Sequence, residues 1–204
     1  MGDDREVILG RVRAALAPLA ERAKLPEFGA GLEAARGRLG GGDPFAEFGA
    51  QLRAVNGEVA ADPAALASSL RARGWMHGYC DPALWPGLKA HFGEGFTVET
   101  VFDRTRVDDY AFGITRGVGA VAETGTIILG DRSTSSRLAA LAPWAHVAVI
   151  PRDAMFGDLG EAVAALGKDP NVIWCTGPSK TADVEGILIE GGHGPGVQIA
   201  MFAD

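Results

Sequence analysis

Three glycine-rich stretches in the second half of the chain carry the residue types that do chemistry. The last of them brings hydroxyl, ammonium, carboxylate and imidazole groups into one short segment: Ser179, Lys180, Thr181, Asp183 and His193. A lysine beside two hydroxyls suits an anion, and a carboxylate or an imidazole transfers protons. Four glycines surround His193, and a structural histidine rarely lies in so flexible a tract. We therefore favour a ligand site over a structural turn.

The same segment is similar to the end of a phosphate-binding P-loop at Lys180-Thr181. That motif needs a glycine directly before the lysine and a second glycine at the start of the loop. These two positions hold Ser179 and Trp174, which excludes a P-loop.

The second stretch, Gly130 to Arg137, contains four consecutive hydroxyl residues that open a predicted helix over 133–141. Ser133 and its neighbours can cap that helix, and the free amides of its first turn attract an anion. Arg137 lies one helical turn after Ser133 and could bind a carboxylate or a phosphate. Capping alone explains the four hydroxyls equally well, so both interpretations stand.

The first stretch, Gly117 to Thr126, has small residues at the spacing of a dinucleotide-binding fingerprint. That motif opens a helix, whereas this stretch leads into a β-branched run. We interpret Glu123, Thr124 and Thr126 instead as a polar edge before a buried strand, with Gly125 letting the backbone approach a ligand. The alternative is a structural turn that carries a surface carboxylate.

Short apolar runs that alternate with helices must position these stretches. Strand-like runs cover residues 75–80, 96–102, 126–129, 146–150, 172–175 and 197–202, and helical runs cover 82–91, 133–141 and 156–166. Continuous apolar strands separated by helices are typical of an α/β fold: a mostly parallel sheet with helices on both faces. Such sheets bind ligands at the carboxyl ends of their strands, so we expect the three stretches to meet there.

The first part of the chain, residues 1–73, is predicted to be a helical segment packed on the core, and residues 74–204 an α/β domain. Asp62-Pro63 is typical of a helix start. A further set of apolar residues recurs every three or four positions, as one face of a helix does: Phe45, Phe48, Leu52, Val55 and Val59.

Composition excludes several classes of protein. The 204 residues include 29 glycines, yet 47% are hydrophobic, which excludes collagen and disorder. A net charge of −7 offers no basic face to nucleic acid, and no run is apolar enough for a membrane span. The amino terminus has no signal-peptide pattern, so we expect a cytoplasmic protein. Two cysteines, Cys80 and Cys175, cannot ligate an iron–sulfur cluster, and no cofactor motif is evident in this chain.

Two motifs in fixed order, between about Trp75 and Phe202, make the sequence recognisable. They are Ala111-Phe112-Gly113-Ile114-Thr115 through Glu123-Thr124-Gly125-Thr126, and Gly177-Pro178-Ser179-Lys180-Thr181-Ala182-Asp183-Val184-Glu185 with His193-Gly194-Pro195. In these motifs the chain resembles the LUD-domain family of lactate-utilisation proteins. The resemblance implies a fold like that of the ribose-phosphate isomerase, glucosamine-phosphate deaminase and CoA-transferase group. It also implies a component of a system that oxidises L-lactate to pyruvate, whose partner subunits carry the iron–sulfur clusters.

On this resemblance we expect a small anionic substrate between the three stretches. Arg137 and Lys180 would hold it, with further contacts from Thr124, Gly125, Thr126, Ser133, Ser179 and Thr181. Glu123, Asp183 or His193 would move protons, because oxidation of a 2-hydroxy acid needs a base. CoA transferases of a related fold use a glutamate nucleophile near a glycine-rich turn, which is our reason for including Glu123.

Two other functions stay open at this point. One is a free-standing transferase or isomerase that acts on a phosphorylated or CoA-linked metabolite, because a fold alone does not determine a function. The other is a non-catalytic scaffold for the iron–sulfur subunits.

Overall fold

The computed structural model describes residues 4–19, 42–131, 133–166, 171–182 and 187–203. The chain divides into two compact units, Met1–Gly40 and Gly41–Asp204. In the first unit, helix α1 (Asp4–Leu16) carries acidic residues in its first turn, which suits the helix dipole, and it ends before Pro18. Its large apolar side chains are about half exposed.

The second unit is built on a six-stranded sheet in which every neighbouring pair of strands is parallel. In spatial order the strands are β1 (Glu58–Ala60), β12 (Val197–Ala203), β7 (Ala145–Pro151), β4 (Phe112–Arg116), β2 (His77–Cys80) and β3 (Thr97–Glu99). The predicted α/β class with a mostly parallel sheet is therefore confirmed.

Both faces of this sheet are covered, because successive residues of a strand point to opposite sides. Val147 and Val149 of β7 belong to one buried cluster, whereas Ala148 and Ile150 belong to another. The helices of the unit are α2 (Pro44–Ala54), α3 (Pro63–Ala72), α4 (Trp85–Leu88), α5 (Arg137–Leu141) and α6 (Leu159–Leu166). Leucines of α3 fill the first cluster, and Phe48 of α2 lies in the second.

A second, smaller sheet contains β8 (Met155–Phe156), β5 (Gly119–Val121), β6 (Thr126–Gly130) and β9 (Val172–Cys175), in that spatial order. Strand β6 pairs antiparallel with both β5 and β9. The sequence correctly predicts strands at 126–129 and 172–175 but wrongly assigns them to the parallel sheet. The apolar pattern misleads because β6 is buried along its whole length, as a central parallel strand is.

Three further segments differ from the sequence prediction. Val59 lies in β1 and not on the helical face with Phe48, because α2 ends at Ala54 and Asn56 turns the chain with a φ of 68°. Residues 112–116 form β4, a strand that the sequence left unassigned. The helix predicted over 133–141 begins only at Arg137. The predicted helical segment 1–73 thus contains a strand and spans the division between the two units.

Two short strands belong to neither sheet, and three 3-10 helices, Lys89–His91, Arg104–Asp109 and Arg152–Ala154, lie in the connecting segments. Strands β10 (Lys180–Ala182) and β11 (Leu188–Glu190) form an antiparallel pair outside both sheets. None of the helices in the described ranges is long and apolar enough to cross a membrane.

A buried chain of polar side chains crosses the middle of the parallel sheet. Oγ1 of Thr115 on β4 lies 2.8 Å from Nε2 of His146 on β7, and Nε2 of Gln198 on β12 lies 3.0 Å from Nδ1 of the same ring. All three residues are buried. Burial lowers the pKa of His146 to about 4, so the ring is neutral at pH 7.

Candidate functional site

The crevice between β2 and β4 lies where the strand order of the parallel sheet reverses. The chain passes from β2 outward to β3, returns to β4 on the other side of β2, and continues to β7 and β12. Open α/β sheets bind ligands at such a point, outside the carboxyl ends of the strands. Asp81 directly follows β2 and Arg116 ends β4, so both residues lie in this crevice.

Arg116 is held in the crevice by a buried carboxylate. Asp81 is fully buried, and its Oδ2 accepts a hydrogen bond of 2.8 Å from Nε of Arg116. Its Oδ1 accepts another of 2.8 Å from the backbone N–H of Ala83. The Arg116 side chain is 42% exposed, and its two Nη groups have no hydrogen-bond partner among the residues that the structure describes. A guanidinium fixed in this way can donate two parallel hydrogen bonds to a carboxylate or a phosphate.

A cavity of about 510 Å³ lies at the same edge of the sheet. Its wall includes Tyr79 of β2, Arg104 from the segment after β3, and Ser135 and Ser136 from the stretch before α5. The Tyr79 hydroxyl lies 2.7 Å from the hydroxyl of Ser135. Burial raises the pKa of Tyr79, and the hydrogen bond with Ser135 and the charge of Arg116 oppose the rise. The phenol therefore stays protonated at pH 7.

The second glycine-rich stretch both caps α5 and lines this cavity. Oγ of Ser136 accepts a hydrogen bond of 3.1 Å from the backbone N–H of Ala139, which confirms the capping interpretation. Ser133 is half-buried, and Arg137 places Nε 3.0 Å from a carboxylate oxygen of Asp131. An anion-binding role for Ser133 and Arg137 stays a prediction.

The first stretch forms the β5–β6 turn. Gly125 has a φ of +63°, and a Cβ there would lie 2.3 Å from the backbone nitrogen of Leu52 in α2, so a larger residue would clash. The Glu123 carboxylate accepts a long hydrogen bond of 3.3 Å from the backbone N–H of Leu159. Oγ1 of Thr126 lies 2.6 Å from Oγ1 of Thr124.

The third stretch lies beside the starts of parallel strands. His193 and Trp144 line a cavity of about 470 Å³ together with residues that precede β4 and β7. Lys180 donates a hydrogen bond of 2.9 Å to the backbone carbonyl of Val55, and its Nζ lies 3.7 Å from Glu190.

The remaining predicted residues of this stretch have structural contacts or fall outside the description. The backbone N–H of Ser179 donates to the Pro195 carbonyl at 2.9 Å, and Thr181 pairs with Ile189 between β10 and β11. Asp183 lies outside the described residues.

The expectation that the three stretches meet at the carboxyl edge is therefore wrong. The second stretch lies there, and the first only begins there, at Gly117 directly after β4. The antiparallel β5–β6 pair brings the turn at Gly125 back to α2. The third stretch leads into the start of β12, so the third stretch lies at the opposite, amino edge of the parallel sheet. The ligand roles of Glu123, Thr124, Lys180 and the other named residues stay predictions.

Sequence reasoning missed the residues that the structure places at the carboxyl edge: Tyr79, Asp81, Arg104 and Arg116. A signal was present for two of them. Asp81 follows directly on the predicted strand 75–80, and a strand assignment for 112–116 would have placed Arg116 at the end of its neighbour.

Both cysteines are free thiols, of which Cys80 is buried and Cys175 partly buried. Burial raises the pKa of the Cys80 thiol to about 12 and that of Cys175 to about 11. Within the described ranges, no group of three or more His, Cys, Asp or Glu side chains could hold a metal ion.

The parallel sheet and its switch point define an α/β protein with a crevice, flanked by Arg116, at the carboxyl edge of the sheet. A family model described as the LUD domain matches residues 89–200, which is more than half of the chain. The chain belongs to the LUD domain family, as the resemblance of its motifs predicts.

Named relatives agree with this family. Lactate utilization protein C of Deinococcus radiodurans is 37% identical over 81 residues, which cover 37% of this chain and 38% of that protein. Lactate utilization protein C of Bacillus licheniformis is 31% identical over 98 residues, which cover 44% of this chain and 41% of that protein. The chain thus matches about two fifths of the length of these relatives.

A solved structure supports the fold. The crystal structure of a DUF162 family protein from Deinococcus radiodurans superposes with a TM-score of 0.58 at 22% identity. The superposition covers 78% of this chain and 96% of that one.

Proposed function

We propose that this chain binds a small 2-hydroxy carboxylate, L-lactate, in the crevice at Arg116, as a component of a lactate-utilisation system. The observation that carries the proposal is the guanidinium of Arg116, which the buried Asp81 fixes through Nε while both Nη groups keep their donors. The names of the relatives support lactate as the substrate class.

The crevice offers complementary groups to both ends of such a substrate. The carboxylate would accept two hydrogen bonds from the Nη groups of Arg116. The substrate hydroxyl both donates and accepts, so it matches the Tyr79–Ser135 hydroxyl pair in the adjoining cavity.

The proposal includes partner subunits that carry iron–sulfur clusters. Oxidation of L-lactate to pyruvate releases two electrons and two protons. Cys80 and Cys175, both with thiol pKa values raised by burial, are too few to hold a cluster. In this proposal the chain holds the substrate, and the clusters of the partners accept the electrons.

Calorimetric titration of the purified chain with L-lactate tests the binding step. Arg116→Gln should weaken binding at least about tenfold, because a charge-assisted pair of hydrogen bonds is lost. Arg73→Gln is the matched control, since Arg73 also pairs with a carboxylate, Glu58 at 2.8 Å, but lies outside the crevice. Equal affinity of wild type and Arg116→Gln would refute the proposal, as would no heat of binding with L-lactate.

The size of the cavity favours a second candidate, a phosphorylated or CoA-linked metabolite. About 510 Å³ is ample for a ligand much larger than lactate, and Arg104 adds a second guanidinium without an ion-pair partner in the described part of the chain. Titrations with a sugar phosphate and with a CoA ester separate the two candidates. The second candidate would be established if either compound binds saturably, if Arg104→Gln loses that binding, and if L-lactate does not bind.

A further inference from the structure

A third cavity, of about 410 Å³, lies on the smaller sheet and shares no residue with the crevice at Arg116. Six side chains line it: Thr124, Thr126, Leu159, Val163, Trp174 and Thr176. Three of these side chains are threonines on one wall, and the other three are large apolar residues. The cavity therefore has one polar wall in an otherwise apolar surface.

The three threonine hydroxyls form a hydrogen-bonded chain, and one of their three hydroxyl hydrogens is not used within the chain. Oγ1 of the buried Thr126 lies 2.6 Å from Oγ1 of Thr124 and 2.8 Å from Oγ1 of Thr176. Three hydroxyls supply three donors, and the chain uses two of them. No further partner of Thr124 or Thr176 occurs among the described side chains. One hydroxyl at an end of the chain is thus left to donate to a ligand.

The rest of the cavity lining is apolar and partly exposed. Leu159 is 47% exposed, Val163 57% and Trp174 37%. The indole of Trp174 is a wide, flat surface on which an aromatic ring can stack. An apolar cavity with a few polar groups on one side is the usual form of a small-molecule site.

Charge at the cavity disfavours anions. Glu123 precedes Thr124, and its carboxylate lies 3.3 Å from the backbone nitrogen of Leu159, a residue of the cavity wall. None of the six lining residues carries a positive charge. Since the apolar lining cannot solvate a charge of either sign, the cavity favours an occupant that is uncharged, mostly apolar, flat enough to stack on Trp174, and able to accept one hydrogen bond.

We propose that this cavity binds an uncharged aromatic or quinonoid carbonyl compound. The ring stacks on Trp174 against Leu159 and Val163, and its carbonyl oxygen accepts the spare hydrogen of the Thr124–Thr126–Thr176 chain. The proposal does not depend on the function proposed for the crevice at Arg116, because the two sites use different residues.

Equilibrium dialysis with duroquinone, whose fully substituted ring does not add to thiols, tests the proposal. Wild type should bind one equivalent. Trp174→Ala should weaken binding at least about tenfold, and Trp174→Phe, which keeps an aromatic face, should stay within about threefold of wild type.

A second pair of variants does not depend on how well the Trp174 variants fold. Val163→Glu places a carboxylate at the mouth of the cavity and should abolish duroquinone binding, because a charge there must be desolvated by the ligand. Val7→Glu is the matched control, because Val7 is also an exposed valine on a helix: it is 51% exposed and Val163 is 57% exposed. The Val7→Glu variant should bind duroquinone as the wild type does.

Three outcomes overturn the proposal. They are no saturable binding to the wild type, binding that Trp174→Ala and Val163→Glu leave unchanged, or a concentration-dependent dimer that Val163→Glu dissociates. The last would assign the apolar wall to a second copy of the chain, and sedimentation velocity would detect it.

Discussion

The buried imidazole of His146 should make the folded protein acid-sensitive by an amount that the structure specifies. The ordinary pKa of 6.5 falls to about 4 in the fold, chiefly because burial penalises the charged ring. Between these two values the unfolded chain binds a proton that the folded protein does not, so the free energy of unfolding falls as pH falls through this window. The full loss below pH 4 is about 3 kcal/mol, and about 2 kcal/mol of it is reached at pH 5.

Urea denaturation at pH 7 and pH 5 measures this contribution. His146→Gln removes the titrating ring but keeps a side chain that can bond to Thr115 and Gln198. Its loss of stability between pH 7 and pH 5 should be smaller than the wild-type loss by about 2 kcal/mol, whatever its absolute stability. His91→Gln, which replaces an exposed histidine, should lose as much as the wild type. An equal pH dependence of His146→Gln and wild type would refute the reasoning.

Two further predictions concern backbone approach and thiol reactivity. Gly125→Ala should destabilise the fold by about 3 kcal/mol or more, because its Cβ would clash with the backbone of Leu52 at a positive φ. Gly74→Ala is the control, since Gly74 also has a positive φ but open space around its Cβ, and this variant should lose about 1 kcal/mol. Thermal or urea denaturation measures both losses. Similar losses of stability in the two variants would contradict the close approach of Gly125 to the backbone of Leu52. At pH 8 a disulfide reagent should modify the buried Cys80 only as fast as the protein opens, and rapid reaction of this thiol in the native protein would contradict its burial.

Much of the parallel sheet was accessible from the sequence because its strands are continuous apolar runs. The runs at 75–80, 146–150 and 197–202 correspond to β2, β7 and β12. The short edge strand β1 was not accessible, since its three residues continue a helical spacing and only the turn at Asn56 separates them from α2.

The site was less accessible because a hydrophobic pattern does not state which sheet a buried strand joins. The assignment of β6 to the parallel sheet placed the turn at Gly125 at the wrong edge. The predictions were therefore placed in the glycine-rich loops. The pair that the fold does place in the switch-point crevice, Asp81 and Arg116, lies at the ends of two strands and outside all three stretches. A contact between two residues 35 positions apart depends on strand order, which the sequence pattern alone leaves open.

The limits of the LUD domain match differ from the limits of the fold. The match begins at residue 89, but β1, β2 and the helices α2 and α3 all precede it. A fragment of residues 89–200 would leave β3 without its neighbour, expose one edge each of β4 and β12, and remove the backbone of α2 on which Gly125 and Gly177 rest. Unpaired strand edges with apolar faces recruit other chains. Expressed alone, residues 89–200 should therefore aggregate, because the stretch that matches the family model is only part of the unit that folds.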